Sequence, residues 1–517
     1  MSQQVTKKPV KRLGPFKIRQ STVQRFYDIH SWLGVIGGLV FFVCIFSGTL
    51  ALFEQELTAW EHPETRFEDG TTKPIDELLA IARTELDDPH DMFVWLPTPY
   101  TGGLEARSFT DGTLDRVHID PVSGEVVERP GRGALQFLTL LHTDLHLPRP
   151  FGRYLVGLLG VFMMMSLISG VMAHPKAIRD LFLLRWRPKL RLTYSDLHKQ
   201  VGVWGLIFGM VMAATGAVIG LLGLFAPIMV LSAFGGDVGK ATEAFSGPHR
   251  EETGIEAPML PVSPLIDDLE ARHPGSKVGS LFFHHWGDET AEVTLNLERD
   301  PYREMATGEG HRVSLVDGET VFVSTFTSRG VGTRLFGTVQ PLHYGLFGGL
   351  GLKMIYFVSG LLLALGIVTG TLIWLERRRP AAVNGVIPRD RYFWLGRLHL
   401  GVSLGLVLAS ALALAAGRFA PGTVEPVFWS IWLLVLAGSF VVPNAFMATR
   451  VGGFTVAVIL CAIAIGDLFG SALQTPATTQ VSYVLLAIGL LTAALSSLSP
   501  KHRVGTRPTL KPARVEA

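Results

Sequence analysis

Cysteine is nearly absent: the 517 residues hold two, Cys44 and Cys461, both inside apolar runs. Two thiols cannot supply an iron–sulfur cluster or a four-ligand zinc site, and a disulfide inside hydrocarbon is not expected. Charge is thin as well, at 17% of residues and net +2, and it is segregated along the chain rather than balanced locally. The net value therefore says little about partners. No glycine-rich loop joins a strand to a helix, so a Rossmann-type dinucleotide site is excluded. No HExxH and no Ser-His-Asp arrangement is visible, and no nucleic-acid partner is expected.

What is present is apolar. Hydrophobic residues make up 48% of the chain and mean hydropathy is +0.34, which points to a membrane protein. Residues 1–29 carry Lys7, Lys8, Lys11, Arg12, Lys17, Arg19 and Arg25, with no acid before Asp28. The run from Trp32 to Phe53 is long enough to span a core of about 30 Å and too long for a signal peptide, so it reads as an uncleaved first helix. Further runs follow at Phe151–Ala173, Val201–Phe225, Leu350–Leu375, His399–Gly417, Phe428–Val442, Gly453–Leu473 and Val481–Leu498. Eight spans put every Lys/Arg cluster on one side and both long acidic excursions on the other, which orients the N-terminus to the cytoplasm.

The excursions have a pattern of their own. In residues 54–141, Pro74–Glu85 has helical spacing, and Met92–Leu96, Leu104–Phe109, Arg116–Ile119 and Glu125–Glu128 read as strands. In residues 235–341, Pro264–Ala271 reads as a helix, and Lys277–His285, Ala291–Leu297, Arg312–Leu315 and Thr320–Ser324 as strands. The expected fold is an all-α polytopic membrane bundle of about eight helices, internally duplicated, with two small α+β modules. Its segments are 1–53, 54–141 (first module), 142–234, 235–341 (second module), 342–380, 381–500 (four further spans) and a basic tail, 501–517.

The duplication is where the sequence becomes specific. His30 is followed by Gly34 and by Ser47-Gly48; His198 is followed at the same offsets by Gly202 and by Thr215-Gly216. The returning helices match within one residue, His142 with Ser169-Gly170 against His343 with Thr369-Gly370. Small residues here permit close approach of neighbouring helices or of a flat macrocycle. A lone histidine near an interface is ordinarily just an interfacial polar group. Four at matched positions are read instead as two ligand pairs for haem iron, His30 with His198 at the cytoplasmic level and His142 with His343 at the periplasmic level. Secondary candidates are His146, four residues after His142, and His174 and His399, level with the cytoplasmic pair. His284 and His285 read as surface histidines on a strand edge, and Phe162–Met165 as packing.

The alternation LHTDLH…SGVMAHP…LHKQVGVWG…TG, preceded by IHSWLGVIGG…SGTLALFEQEL, resembles the PepSY-associated transmembrane proteins over roughly residues 24–380. The excursion ending HIDPVSGEVVE resembles a PepSY module. Members of this family include inner-membrane ferric-siderophore reductases that carry b-type haem. The resemblance implies two haems b held by His30, His142, His198 and His343, a ferric chelate or siderophore as periplasmic substrate, and a role in iron uptake. With no nucleotide or flavin site in the chain, a separate electron donor is needed, either a cytoplasmic reductase or quinol. The alternative is a non-enzymatic PepSY-type regulator or a permease, for which Asp467 and Asn444 in the last spans are the features to weigh.

Overall fold

The computed structural model describes residues 20–67, 71–98, 102–110, 113–127, 133–174, 190–248, 250–298, 309–325, 331–380, 388–470 and 474–498. The basic start before Gln20, the basic loop around Arg187 and the tail from Lys501 lie outside the described residues.

The first half runs α1 (Gln20–Ile36), α2 (Gly38–Ala51), α3 (Glu54–Glu61), α4 (Ile75–Glu85), then strands β1 (Met92–Trp95), β2 (Leu104–Thr110), β3 (Thr113–Ile119) and β4 (Val126–Val127), and closes with α5 (Ala134–Asp144) and α6 (Phe151–Ala173). The second half repeats this order. It comprises α7 (Leu190–Trp204), α8 (Leu206–Phe234), α9 (Val238–Ser246), α10 (Ser263–Arg272), β5 (Lys277–His284), β6 (Glu292–Glu298), β7 (Glu309–Ser314), β8 (Thr320–Ser324), α11 (Val331–Tyr344) and α12 (Gly349–Arg378). Four more helices complete the described chain: α13 (Arg391–Phe419), α14 (Val424–Val441), α15 (Ala445–Gly470) and α16 (Pro476–Leu498).

Seven of the described helices are long and apolar enough to cross a membrane singly, and α1 with α2 meets the same measure only as a pair bent by 67°. The protein is therefore a multi-pass membrane protein in contact with lipid. The bend falls at Gly37, where the Phe41 ring folds so close that a Cβ would lie 2.6 Å from it. The helical ladder still passes through, from Gly37 N–H to Leu33 and from Phe41 N–H to Gly37. The second half breaks at Gly205, also seven residues after its histidine, so its span begins at Leu206 rather than at Val201.

The strand expectations hold within a few residues, but the two modules are not separate. All eight strands form one antiparallel sheet in the order β4-β3-β2-β1-β5-β6-β7-β8. The first strand of each excursion provides the joint, with Met92 opposite Phe283 and Trp95 opposite Ser280. Alternation dictates the faces: Met92, Val94, Leu281, Phe283, Val293 and Leu295 are buried in a core with Leu78 and Leu79 of α4 and Leu269 of α10. The residues between them point to the other face.

A second core ties α2, α3 and α5 to α13–α16 through Phe42, Trp60, Leu138, Leu406 and Phe428. One polar cluster joins these elements. Asp467 of α15 receives Arg66 at 3.1 Å and Arg418 at 2.9 Å, and the Ser482 hydroxyl donates to it at 2.8 Å. Ser482 in turn accepts from the Trp60 indole at 2.8 Å. The last four helices are thus latched onto the first half of the duplicated bundle.

Candidate functional site

The pairs expected from the repeat come together. The His30 and His198 ring centres are 5.9 Å apart, and those of His142 and His343 are 6.1 Å apart. Each pair takes one ring from each half of the chain and lines a cavity, of about 190 Å³ beside His30 and His198 and about 520 Å³ beside His142 and His343.

The rings are braced in two related manners, both built on the Ser/Thr-Gly doublets. The doublet hydroxyl bonds back to carbonyls one turn earlier: Ser47 to Val43, Ser169 to Met165, Thr215 to Val211 and Thr369 to Leu365. Nδ1 of three histidines lies against the carbonyl three residues before a doublet, His30 on Ser166 at 2.9 Å, His142 on Cys44 at 2.8 Å and His198 on Gly366 at 2.8 Å. The fourth, His343, lies 2.9 Å from the Thr215 hydroxyl, which already donates to Val211 and so accepts. A carbonyl only accepts, so Nδ1 carries the proton and Nε2 keeps its lone pair. No Nε2 of the four makes a hydrogen bond among the described residues.

The doublet glycines supply the room. A Cβ on Gly48 would stand 2.5 Å from His142, and on Gly170, Gly216 or Gly370 it would stand 2.9 Å from His30, His343 or His198. Gly34 and Gly202 work differently: they line the inner cavity and nothing lies within 4 Å of where their Cβ would be. The two levels are nearer than the faces of a 30 Å core. On α12, Gly370 meets His198 while Gly360 meets Thr49, beside Gly48 and His142. Ten residues of helix separate them, about 15 Å.

Around the inner pair stand Tyr27, His174, Lys199, Trp374 and Arg377; around the outer pair stand Arg153, Gln340, Tyr344, Tyr356 and an ion pair, Lys353 to Glu56 at 2.6 Å. These flanking groups were missed in the sequence, although Lys199 directly follows a repeat histidine. The secondary histidines separate from the pairs. His146 does not share a helical face with His142, because α5 ends at Asp144 and Leu145 and His146 both take positive φ; its ring packs on Phe137 at 4.1 Å. His174 caps α6 and lines the inner cavity without joining the pair. His399 is buried on α13 and lines neither cavity. Among the described residues no three His, Cys, Asp or Glu side chains form a metal cage, so any metal here needs ligands beyond the protein's own.

Residues 27–377 match the PepSY-associated TM region family. The chain belongs to that family. The match spans both halves and all four paired histidines, and leaves α13–α16 outside it. Uncharacterized protein PA4219 of Pseudomonas aeruginosa is 33% identical over 298 residues, which covers 56% of this chain and 73% of the relative. Within this PepSY-associated protein the two features that favoured transport are otherwise engaged. Asp467 sits in the latch, and Asn444 caps α15 by accepting the Phe446 and Met447 N–H groups.

Proposed function

We propose that this chain is a haem-binding oxidoreductase of the bacterial inner membrane that carries electrons across it to reduce a ferric chelate in the periplasm, in support of iron uptake. The N-terminus and the His30–His198 level face the cytoplasm; the sheet, read as two fused PepSY modules, faces the periplasm. The observation that carries the reading is the brace: Nδ1 of each histidine rests on a carbonyl or hydroxyl oxygen, and the four rings meet in two facing pairs.

The residues fit two haems b. Two imidazoles each about 2 Å from a shared metal have ring centres about 6 Å apart, which is the spacing of both pairs. Gly34 and Gly202 hold open the space beside the inner pair, and Lys199 and Arg377 there, with Arg153 at the outer level, suit the carboxylates of the macrocycle. Bound haem supplies one-electron exchange at each level. The chain's own part is to fix the ligand tautomer through the carbonyl contacts of three histidines and the Thr215 hydroxyl at His343, to keep the rings stationary against glycine, and to shield both sites with apolar helices. A cytoplasmic reductase or quinol supplies the electrons.

The test is a reduced-minus-oxidised visible spectrum of the purified protein, followed by alanine at His198 and at His343. A low-spin b-type spectrum is expected, with the two variants losing different haems and His343→Ala losing chelate reduction. Folded but colourless protein from haem-sufficient cells refutes the reading and leaves the regulator in its place.

A further inference from the structure

The end of α12 far from the sheet carries more cations than its surroundings answer. Arg379 ends α12, and the entry into α13 brings Arg389 and Arg397 to the same place. Arg397 is only 7% exposed, and Arg379 and Arg389 bear on it as like charges. Arg379 lies across Gly396, the residue before Arg397, so closely that a Cβ there would collide with its Nη2. No carboxylate among the described residues pairs with any of the three. Asp390, the acid in the same turn, is taken up as the cap of α13, where it accepts the Phe393 N–H at 2.9 Å. Residues 381–387, which join the two helices, include no Asp or Glu.

Two nitrogens of this cluster are left over. Arg397 gives Nη2 to the Pro443 carbonyl at 3.3 Å, just past the end of α14, and its guanidinium stands over the Phe393 ring at 4.9 Å. Its Nη1 is buried without an acceptor, and so is Nε of Arg379. A guanidinium carries five N–H donors, and burying one unanswered is costly in a way that leaving it wet is not. An arginine that merely marked the membrane boundary would stretch its head into water. The boundary itself is marked by rings: Trp374 meets Tyr392 at 5.6 Å and Trp394 stacks on Phe440 at 6.0 Å. Such Trp and Tyr belts sit at the level of the lipid head groups.

We infer that Arg379, Arg389 and Arg397 form a binding site for the phosphate of an anionic phospholipid. Phosphate oxygens accept from the two unanswered donors, and the negative charge offsets the repulsion among three guanidiniums. Basic groups between spans at the membrane surface recognise anionic head groups in this way. Depth favours a lipid over free phosphate. The aromatic belt places the cluster at head-group level, and acyl chains can continue along α14, whose Leu433, Leu434 and Val441 are exposed. The bound lipid ties α13 to α12 at one end of α13, while Arg418 holds the other end in the Asp467 latch. The inference stands apart from the haem reading.

The test uses the full chain, stripped of lipid in a zwitterionic detergent. It is titrated separately with dioleoylphosphatidylglycerol, dioleoylphosphatidylcholine and inorganic phosphate, and bound ligand is counted by native mass spectrometry. Each arginine near a head group is worth about fivefold in affinity, so the two with unanswered donors should favour phosphatidylglycerol over phosphatidylcholine on the order of 25-fold. Arg379→Gln and Arg397→Gln should each lose about fivefold of that preference. Arg391→Gln is the control, because Arg391 is exposed at the same end and donates to the Tyr392 hydroxyl at 3.0 Å; it should keep the preference. Should Arg397→Gln fail to elute as one monodisperse species, Arg379→Gln, at a half-buried position, decides the matter. Equal binding of the two lipids overturns the inference, and so does an equal loss in the Arg391 control, which would reduce the effect to general surface charge. Inorganic phosphate binding as tightly as phosphatidylglycerol would assign the cluster to a soluble anion instead.

Discussion

Replacing a doublet glycine by alanine isolates the brace from the rest of the fold. At Gly48 the new methyl would lie 2.5 Å from the His142 ring, whereas carbon atoms in contact rest about 3.5 Å apart, so the ring must retreat by about 1 Å. That retreat breaks the 2.8 Å contact of Nδ1 with the Cys44 carbonyl and turns Nε2 away from His343. Overpacking of this kind costs about 1–3 kcal/mol. Alanine returns about 1 kcal/mol over glycine inside a helix, so the fold should survive while the site fails. Loss of a supporting contact to a metal ligand lowers metal affinity by about 10- to 100-fold. The assay is haem per protein after purification, read with the reduced-minus-oxidised spectrum. Gly48→Ala and Gly216→Ala should deplete the outer haem, and Gly170→Ala and Gly370→Ala the inner one. Gly438→Ala, where a Cβ meets nothing within 4 Å, is the control and should change neither. Full haem content with unshifted potentials in all four doublet variants would show that the glycines do not position the histidines.

Asp467→Asn should leave two buried guanidiniums without their carboxylate, at a cost of about 3–5 kcal/mol, and expose α15 and α16 to protease; unchanged digestion and Tm would contradict the latch. Glu61 lies outside the spans, and burial pushes its carboxyl up to about 8 from an ordinary 4.5, although the Ala134 and Leu135 N–H groups pull the other way. The folded state then holds a proton that the unfolded chain has released, so stability should fall as pH rises from about 4.5 to about 8. Glu61→Gln should flatten that slope in thermal unfolding, and an unaltered slope would dismiss the assignment. Reporters fused after Asp120 or Asp288 should be active only in the periplasm and one after Arg378 only in the cytoplasm; activity of all three on one side would remove the proposed orientation.

The periodic features were legible because they repeat at short range. Alternation in β1 and β5 fixed which residues face the core, and the offset from His30 to Gly48, repeated from His198 to Gly216, announced the pairs. Features that depend on distant partners were not. Met92 and Phe283 are 191 positions apart, and nothing in either strand says that it lies at a joint rather than at an edge. Asp467 looked like a transport carboxylate because its cations, Arg66 and Arg418, sit outside its own helix. The doublets read only as small residues, since the back-bonding of Ser169 and Thr369 shows solely in three dimensions. The separation of the two histidine pairs was not legible for a simpler reason: α1 is bent against α2 and α5 is short, which hydropathy alone does not reveal.

Each imidazole leans on a glycine of its own half, His30 on Gly170 and His142 on Gly48, but finds its facing ring in the other half. A single half therefore carries two finished walls and no finished chamber. Were the chain severed between Ala173 and Leu190, neither fragment could complete a site until it met its counterpart. The covalent link between the halves makes that encounter intramolecular, at an effective concentration on the order of millimolar. Covalent joining also frees the two halves to diverge: only the first carries the surface on which α13–α16 settle. A symmetric pair of identical subunits could not carry that surface on one side alone.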